Sequence, residues 1–213
     1  MAKIKTFTFN PFSENCYVLY DETGECAIID PGCYMQDEKD ELRDFITSQN
    51  LKPTLFLNTH CHLDHVFGNR FVSKEYKLPL IMHKLDVPVY KAVENYAGGM
   101  GFSVETLPEP GKFIEEGDVL TFGNTTLDIL FTPGHSPGSV CFYSKEDDFV
   151  IAGDVLFQQS IGRTDLPGGD FDTLIKSIKT RLFNLPEKTE VYPGHGPHTT
   201  IGFEKANNPF LNR

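Results

Sequence analysis

No stretch of this chain approaches the roughly 18–20 consecutive apolar residues that a membrane helix needs. Met1-Ala2-Lys3-Ile4 leads straight into alternating, strand-like sequence with no signal-peptide core. The expectation is a soluble, cytoplasmic protein that does not bind membranes. Positive charge is scarce as well: 19 Lys and Arg against 30 Asp and Glu leave a formal net charge of −11. Such a field repels polyanions and argues against a nucleic-acid partner. The five cysteines (Cys16, Cys26, Cys33, Cys61 and Cys141) are odd in number and contain no C-x-x-C pair, which excludes a zinc knuckle or a redox pair and fits reduced thiols. Repeats, low-complexity tracts and Pro/Gly-rich linkers are missing too. A single domain over residues 1–213 is expected, large enough to bury a core without covalent staples.

What is present divides into two strand-rich halves. Lys3 to Phe9, Asn15 to Asp21 and Glu25 to Asp30 are short β-branched and aromatic runs separated by Asn10-Pro11 and Thr23-Gly24, as in a meander. Gln36 to Asn50 carries Leu42, Phe45 and Ile46 on one helical face, and Pro53 to Asn58 is an apolar run of the kind buried on both faces of a sheet. A helix over Val66 to Glu75, a strand at Leu80 to His83 and a helix around Lys84 to Tyr96 follow. The second half offers strands at Val119–Phe122, Thr126–Phe131, Ser139–Tyr143 and Phe149–Ala152, then a helix capped by Asp170 and a last strand at Glu190 to Tyr192. The arrangement this implies is α+β: two sheets face to face with helices outside.

Five of the seven histidines fall just beyond predicted strands: His60, His62 and His65, then His135, then His195. Asp64, inside T-H-C-H-L-D-H, and Asp154, at the end of V-I-A-G-D, share that placement. Loops at strand ends can converge on one cleft. Imidazole and carboxylate donors without sulfur suit zinc, ferrous iron or manganese, and these seven side chains are too many for one tetrahedral zinc. A two-metal site follows, with two divalent ions, most simply zinc. Four positive charges against two carboxylates and a hydroxide leave a positive excess for an anionic transition state, which is the chemistry of hydrolysis.

The runs Thr59 to His65, T-P-G-H-S-P-G-S (Thr132 to Ser139), A-G-D (Ala152 to Asp154) and Y-P-G-H-G (Tyr192 to Gly196) resemble, in order, the motifs of the metallo-β-lactamase superfamily. Within it the chain is similar to glyoxalase II-like hydrolases, including short bacterial members with a loop like Ser160 to Asp170 and an ending like Phe203 to Leu211. The resemblance implies a four-layer αββα sandwich of two mixed sheets, without the C-terminal helical extension of long members. It implies that His60, His62 and His135 hold one metal, that Asp64, His65 and His195 hold the other, and that Asp154 bridges them. Asp64 and Asp154 then take part in catalysis, with a bridging hydroxide attacking the carbonyl of a small-molecule thioester, a glutathione conjugate such as S-lactoylglutathione.

Differences within the motifs refine this. His65 stands where the commonest class B β-lactamases have arginine, which argues against lactams. The final histidine lies in H-G-P, whereas persulfide dioxygenases, which share a loop like Gly162 to Asp165, have H-D-Y. A mononuclear iron persulfide dioxygenase is the competing reading, and a two-metal hydrolase of another ester or a phosphodiester is a third. The glutathione-contacting tyrosines of typical glyoxalase II have no counterpart here, but Arg163 offers a cation for a substrate carboxylate. Cys61 is expected to pack, His83 to sit on the surface at a strand end, and Thr59 to orient a ligand.

Overall fold

The computed structural model describes residues 1–212. Strands β1 (Lys3–Phe9), β2 (Glu14–Tyr20) and β3 (Glu25–Ile29) form an antiparallel meander. Along β2, Cys16 and Val18 point to one apolar layer, and Tyr17 and Leu19 to another. Burial on both faces requires side chains that tolerate it at successive positions, which the run N-C-Y-V-L supplies. Three strands extend the sheet in parallel: β4 (Lys52–Leu57), β5 (Leu80–His83) and β6 (Pro110–Ile114). Parallel neighbours need crossovers. These contain α1 (Gln36–Ser48), α2 (Leu63–Val66), α3 (Asn69–Tyr76) and α4 (Val87–Tyr96).

The second sheet is built from β7 (Val119–Phe122), β8 (Thr125–Phe131), β9 (Val140–Ser144) and β10 (Phe149–Gly153). A two-stranded hairpin, β11 (Leu156–Phe157) and β12 (Ser160–Ile161), and α5 (Phe171–Thr180) follow. The sheet is completed by β13 (Glu190–Pro193), parallel to β10, and β14 (Thr199–Thr200), after which comes α6 (Ile201–Asn207). Leu19, Ile29, Leu57, Leu127, Phe142 and Ile151 fill the space between the sheets. Leu42, Ile46, Val72 and Val93 seal the first sheet from outside; Leu174, Ile178 and Ile201 seal the second. The expected αββα sandwich of two mixed sheets is the observed architecture. No helix among the described residues is long and apolar enough to cross a membrane.

Several details differ from expectation. The helix expected over Val66 to Glu75 is two helices, because the Asp64 carbonyl accepts from Asn10 Nδ2 and the Gly68 amide donates to the Pro31 carbonyl instead of continuing the ladder. β6, the β11–β12 hairpin, β14 and α6 were not expected, since short segments rich in Gly, Pro or polar residues carry little periodicity. His83 is not a surface residue. It is buried, its ring stacks on Phe131 with centroids 4.5 Å apart, and its Nδ1 accepts from the Leu85 amide. Cys61 packs as expected, fully buried with Sγ 3.9 Å from Met82 Sδ.

Candidate metal centre

The seven singled-out donors lie on loops or short helices that follow strands. His60 and His62 lie between β4 and α2, and α2 carries Asp64 and His65. His135 follows β8, Asp154 follows β10 and His195 follows β13. His62, Asp64, His135, Asp154 and His195 line the floor of one cavity, and His60 and His65 pack against them. Of the three groups of three whose ligand atoms are close enough together to hold an ion, two consist of these donors: His60, His62 and His135, and Asp64, His65 and His195. Asp154 reaches both, with Oδ1 3.4 Å from His65 Nε2 and Oδ2 3.5 Å from His135 Nε2 and 3.6 Å from His195 Nε2.

The far nitrogen of four rings decides where their lone pairs point. His135 Nδ1 lies 2.8 Å from the Arg163 carbonyl and His195 Nδ1 lies 3.1 Å from the Phe12 carbonyl, so each must donate there. Thr59 Oγ1 donates to Asp30 Oδ2 at 2.6 Å and therefore accepts at His60 Nδ1, 3.2 Å away. His65 Nδ1 donates to Asp30 Oδ2 at 3.1 Å. With Nδ1 committed in this way, the neutral form of each of these rings, the form that binds a metal, presents its Nε2 lone pair to the floor. His135 Nε2 is 3.2 Å from His60 Nε2 and 2.8 Å from His62 Nδ1. His65 Nε2 and Asp154 Oδ1 are buried with no hydrogen-bond partner. Crowded lone pairs and orphaned acceptors aimed at a common centre are what a cation relieves, so the side chains present fit divalent metal ions.

Electrostatics separates the two groups. Burial pushes His62 down to about 3, reinforced by His135, and burial with the charge of His65 holds His60 well below the ordinary imidazole value. Burial alone would lower His65 too, but the carboxylates of Asp64 and Asp154 outweigh it and raise it. His195 is raised by its contact with Asp64, 3.1 Å away, against the pull of burial. Asp154 is held well below the usual carboxylate range: burial opposes this, and His65 and His135 overcome it.

Several supporting residues were not singled out from sequence. Asp30 also lies near His60 and His65, but its oxygens are taken by the Thr59 amide and hydroxyl, Asn58 Nδ2 and His65 Nδ1, which places it behind the rings. Its signal was there to read, since I-I-D-P-G ends an apolar strand just as V-I-A-G-D does. Asn15 straps the His195 loop by donating to the Pro193 and Gly196 carbonyls. Buried Asp86 accepts from the Cys61 amide, the Ser136 hydroxyl and the Gly138 amide, tying the start of α4 to both histidine loops. Glu14 is fully buried with both oxygens unpartnered, 3.8 Å from His65 Nδ1, and burial raises its pKa strongly. Gly194 permits the close approach, because a Cβ there would lie 2.1 Å from Asp154 Oδ1.

Arg163 stands at the cavity wall, not on the floor. Its guanidinium is exposed and held by Asp165 through two bonds of 2.7 Å, while its carbonyl fixes His135. Thr59 orients His60 as expected.

Comparison with known proteins agrees with this geometry. A family model described as the metallo-beta-lactamase superfamily matches residues 9–195. The chain is 40% identical over 211 residues to the probable metallo-hydrolase YqgX of Bacillus subtilis, covering 99% of this chain and 98% of the relative. It is 36% identical over 211 residues to the hydroxyacylglutathione hydrolase GloC of Haemophilus influenzae, covering 98% of each. The crystal structure of BLEG-1 B3 metallo-beta-lactamase superposes with a TM-score of 0.88 at 38% identity, over 99% of this chain and 100% of that one. TTHA1623, solved in a di-iron-bound form, gives 0.87 at 40% identity over 97% and 100%. With the family model spanning every ligand-bearing loop and relatives aligned almost end to end, the chain belongs to the metallo-β-lactamase superfamily.

Proposed function

We propose that this metallo-hydrolase uses two divalent ions to cleave thioesters of the hydroxyacylglutathione type. His60 Nε2, His62 Nδ1 and His135 Nε2 would hold one ion, Asp64, His65 and His195 the other, and Asp154 would span them. Ions held there lower the pKa of a bound water from 15.7 toward about 7 and polarise an acyl carbonyl. Asp64 and Asp154 line the cavity and can orient a nucleophilic water by accepting a hydrogen bond from it. Nitrogen and oxygen donors without thiolate suit zinc, iron or manganese. Zinc is the proposed resident, and the di-iron form of TTHA1623 makes iron its first competitor.

The observation that carries the thioester reading is the shortage of proton donors around the floor. Apart from the ligand set, the cavity offers Ser160, Tyr96 and Arg163. Burial raises the Tyr96 phenol and Asp165 raises the Arg163 guanidinium, so both keep their protons near neutral pH. A departing amine needs a proton; a thiolate, with a thiol pKa near 8.5, leaves without one. The 36% identity to GloC supports the same reading.

The test is kcat/KM for S-lactoylglutathione, followed as loss of thioester absorbance, on protein shown to contain two metal ions per chain. A value above about 10⁴ M⁻¹s⁻¹ is expected, the ordinary range for a dedicated enzyme. No turnover in such a preparation overturns the reading. The likeness to BLEG-1 makes a β-lactam the control substrate, expected to be cleaved far more slowly for want of an acid. Oxygen uptake with a persulfide, without thioester loss, would instead establish the dioxygenase reading.

A further inference from the structure

The cavity, open to solvent, measures about 1130 Å³, somewhat above the usual range of small-molecule sites. One wall is α4 together with the turn before it. A surface helix ordinarily turns a single apolar stripe to the core and shows polar residues elsewhere. In α4, Tyr90 and Val93 are the core stripe. A second stripe, Leu85, Pro88, Ala92 and Tyr96, follows helical spacing and faces the cavity. Leu85 is 53% exposed, so core packing does not account for it. Phe157 and Ile161 of the β11–β12 hairpin, Leu166 and Pro167 of the next loop, and Phe12 add to the apolar lining.

The wall carries a single cation. Arg163 is already neutralised by Asp165, whereas glutathione bears two carboxylates and an ammonium group. Little of the carrier's charge can be matched, so binding energy must come from the apolar walls, which reward buried hydrocarbon without regard to direction. We infer that the cavity, while admitting a three-carbon hydroxyacyl group, prefers thioesters whose acyl part is a longer apolar chain of medium length, with the thiol carrier at the mouth beside Arg163. The inference rests on the thioester reading for its chemistry and on the walls for its selectivity.

The test varies only the acyl group: acetyl, butanoyl and hexanoyl thioesters of glutathione, with kcat/KM measured on the metal-loaded protein. Burial of each methylene is worth about fourfold, so a rise of more than about 100-fold from acetyl to hexanoyl is expected. A flat or falling series with the short thioesters still cleaved overturns the inference and leaves thioester hydrolysis standing. Calorimetric binding of the uncleavable thioethers S-methyl- and S-hexylglutathione reads the walls without turnover. Affinity more than about 100-fold tighter for hexyl supports the inference even where no thioester is cleaved, and equal affinities overturn it. Ala92→Asp, which sets a charge on the second stripe of α4, is expected to shrink the hexanoyl-to-acetyl ratio at least tenfold; an unchanged ratio contradicts the placement of the acyl chain.

Discussion

The floor and the walls of the cavity are built on opposite principles. On the floor, His60, His65 and His135 are almost wholly buried, and every one has its far nitrogen held by a named partner. Those partners are themselves tied: Asp30 to Thr59 and Asn58, and Asn58 in turn to Asn69. On the walls, Leu85, Met100 and Phe12 are 53%, 53% and 39% exposed. Ligand atoms must be fixed to a fraction of an ångström, so the floor is over-determined by directional bonds. An apolar wall needs only shape and surface. Chemistry in this molecule is therefore rigidly specified, and selectivity is held by contacts that change cheaply.

The contrast breaks most sharply at Asp154. Asp154→Ala removes the one carboxylate that reaches both ligand groups, and we expect catalysis to fall by at least about 10³-fold, with metal content dropping below two ions per chain by elemental analysis. Full activity and full loading would mean that the floor is not a shared two-ion site.

A middle-sized effect sharpens the comparison by leaving every ligand in place. Asp30→Ala frees the far nitrogen of His65 and strands the Thr59 amide as a buried donor, while Asn58 Nδ2 keeps only its bond to the His65 carbonyl. Metal affinity, read by titration against a chelator, is expected to fall about 10–100-fold. Stability is expected to fall by about 1–3 kcal/mol for each stranded donor left without water. A wall substitution of similar size, such as Leu85→Ala, is expected to leave metal affinity unchanged.

The smallest effect concerns neither region. Asp21, buried just after β2, accepts from Thr23, the Asn124 amide and the Thr125 hydroxyl, and so joins the β2–β3 turn of one sheet to the β7–β8 turn of the other. Burial pushes its carboxyl upward, but those donors outweigh it and hold the folded-state pKa below the ordinary 3.8. The contribution is therefore fully present above pH 3.8 and is lost as pH falls through the lower folded value. Denaturation midpoints should stay level near neutral pH and drop below about pH 4, and Asp21→Asn should blunt that acid limb.

The sequence was most legible where chemistry restricts residue type. Metal ligation favours His and Asp, and H-x-H-x-D-H packs four such side chains into one turn after a strand, so the seven side chains that come together could be singled out before the fold was known. Asp86 was not legible, because its value lies in three partners from two distant loops. Glu14 opens β2 as an ordinary strand residue, and only folding sets it 3.8 Å from His65. The walls were half legible. The run V-P-V-Y-K-A-V-E-N-Y reads as helix, but nothing local separates a stripe that meets the core from one that meets a cavity. β6, which begins Pro-Gly, carries a turn signal that parallel pairing with β5 overrides.

One brace lies well away from the floor. In α6, the buried carboxylate of Glu204 accepts from the Gln159 amide and from Thr199, and Asn208, just beyond the helix, donates to the Ser160 carbonyl. These two side chains clasp the turn of the β11–β12 hairpin, whose Phe157 and Ile161 form part of a cavity wall. Directed evolution confined to cavity-lining positions would therefore pass over the anchor of that wall. Libraries that also sample Glu204 and Asn208 gain a remote adjustment of substrate preference, one that can be turned without altering any residue the substrate touches.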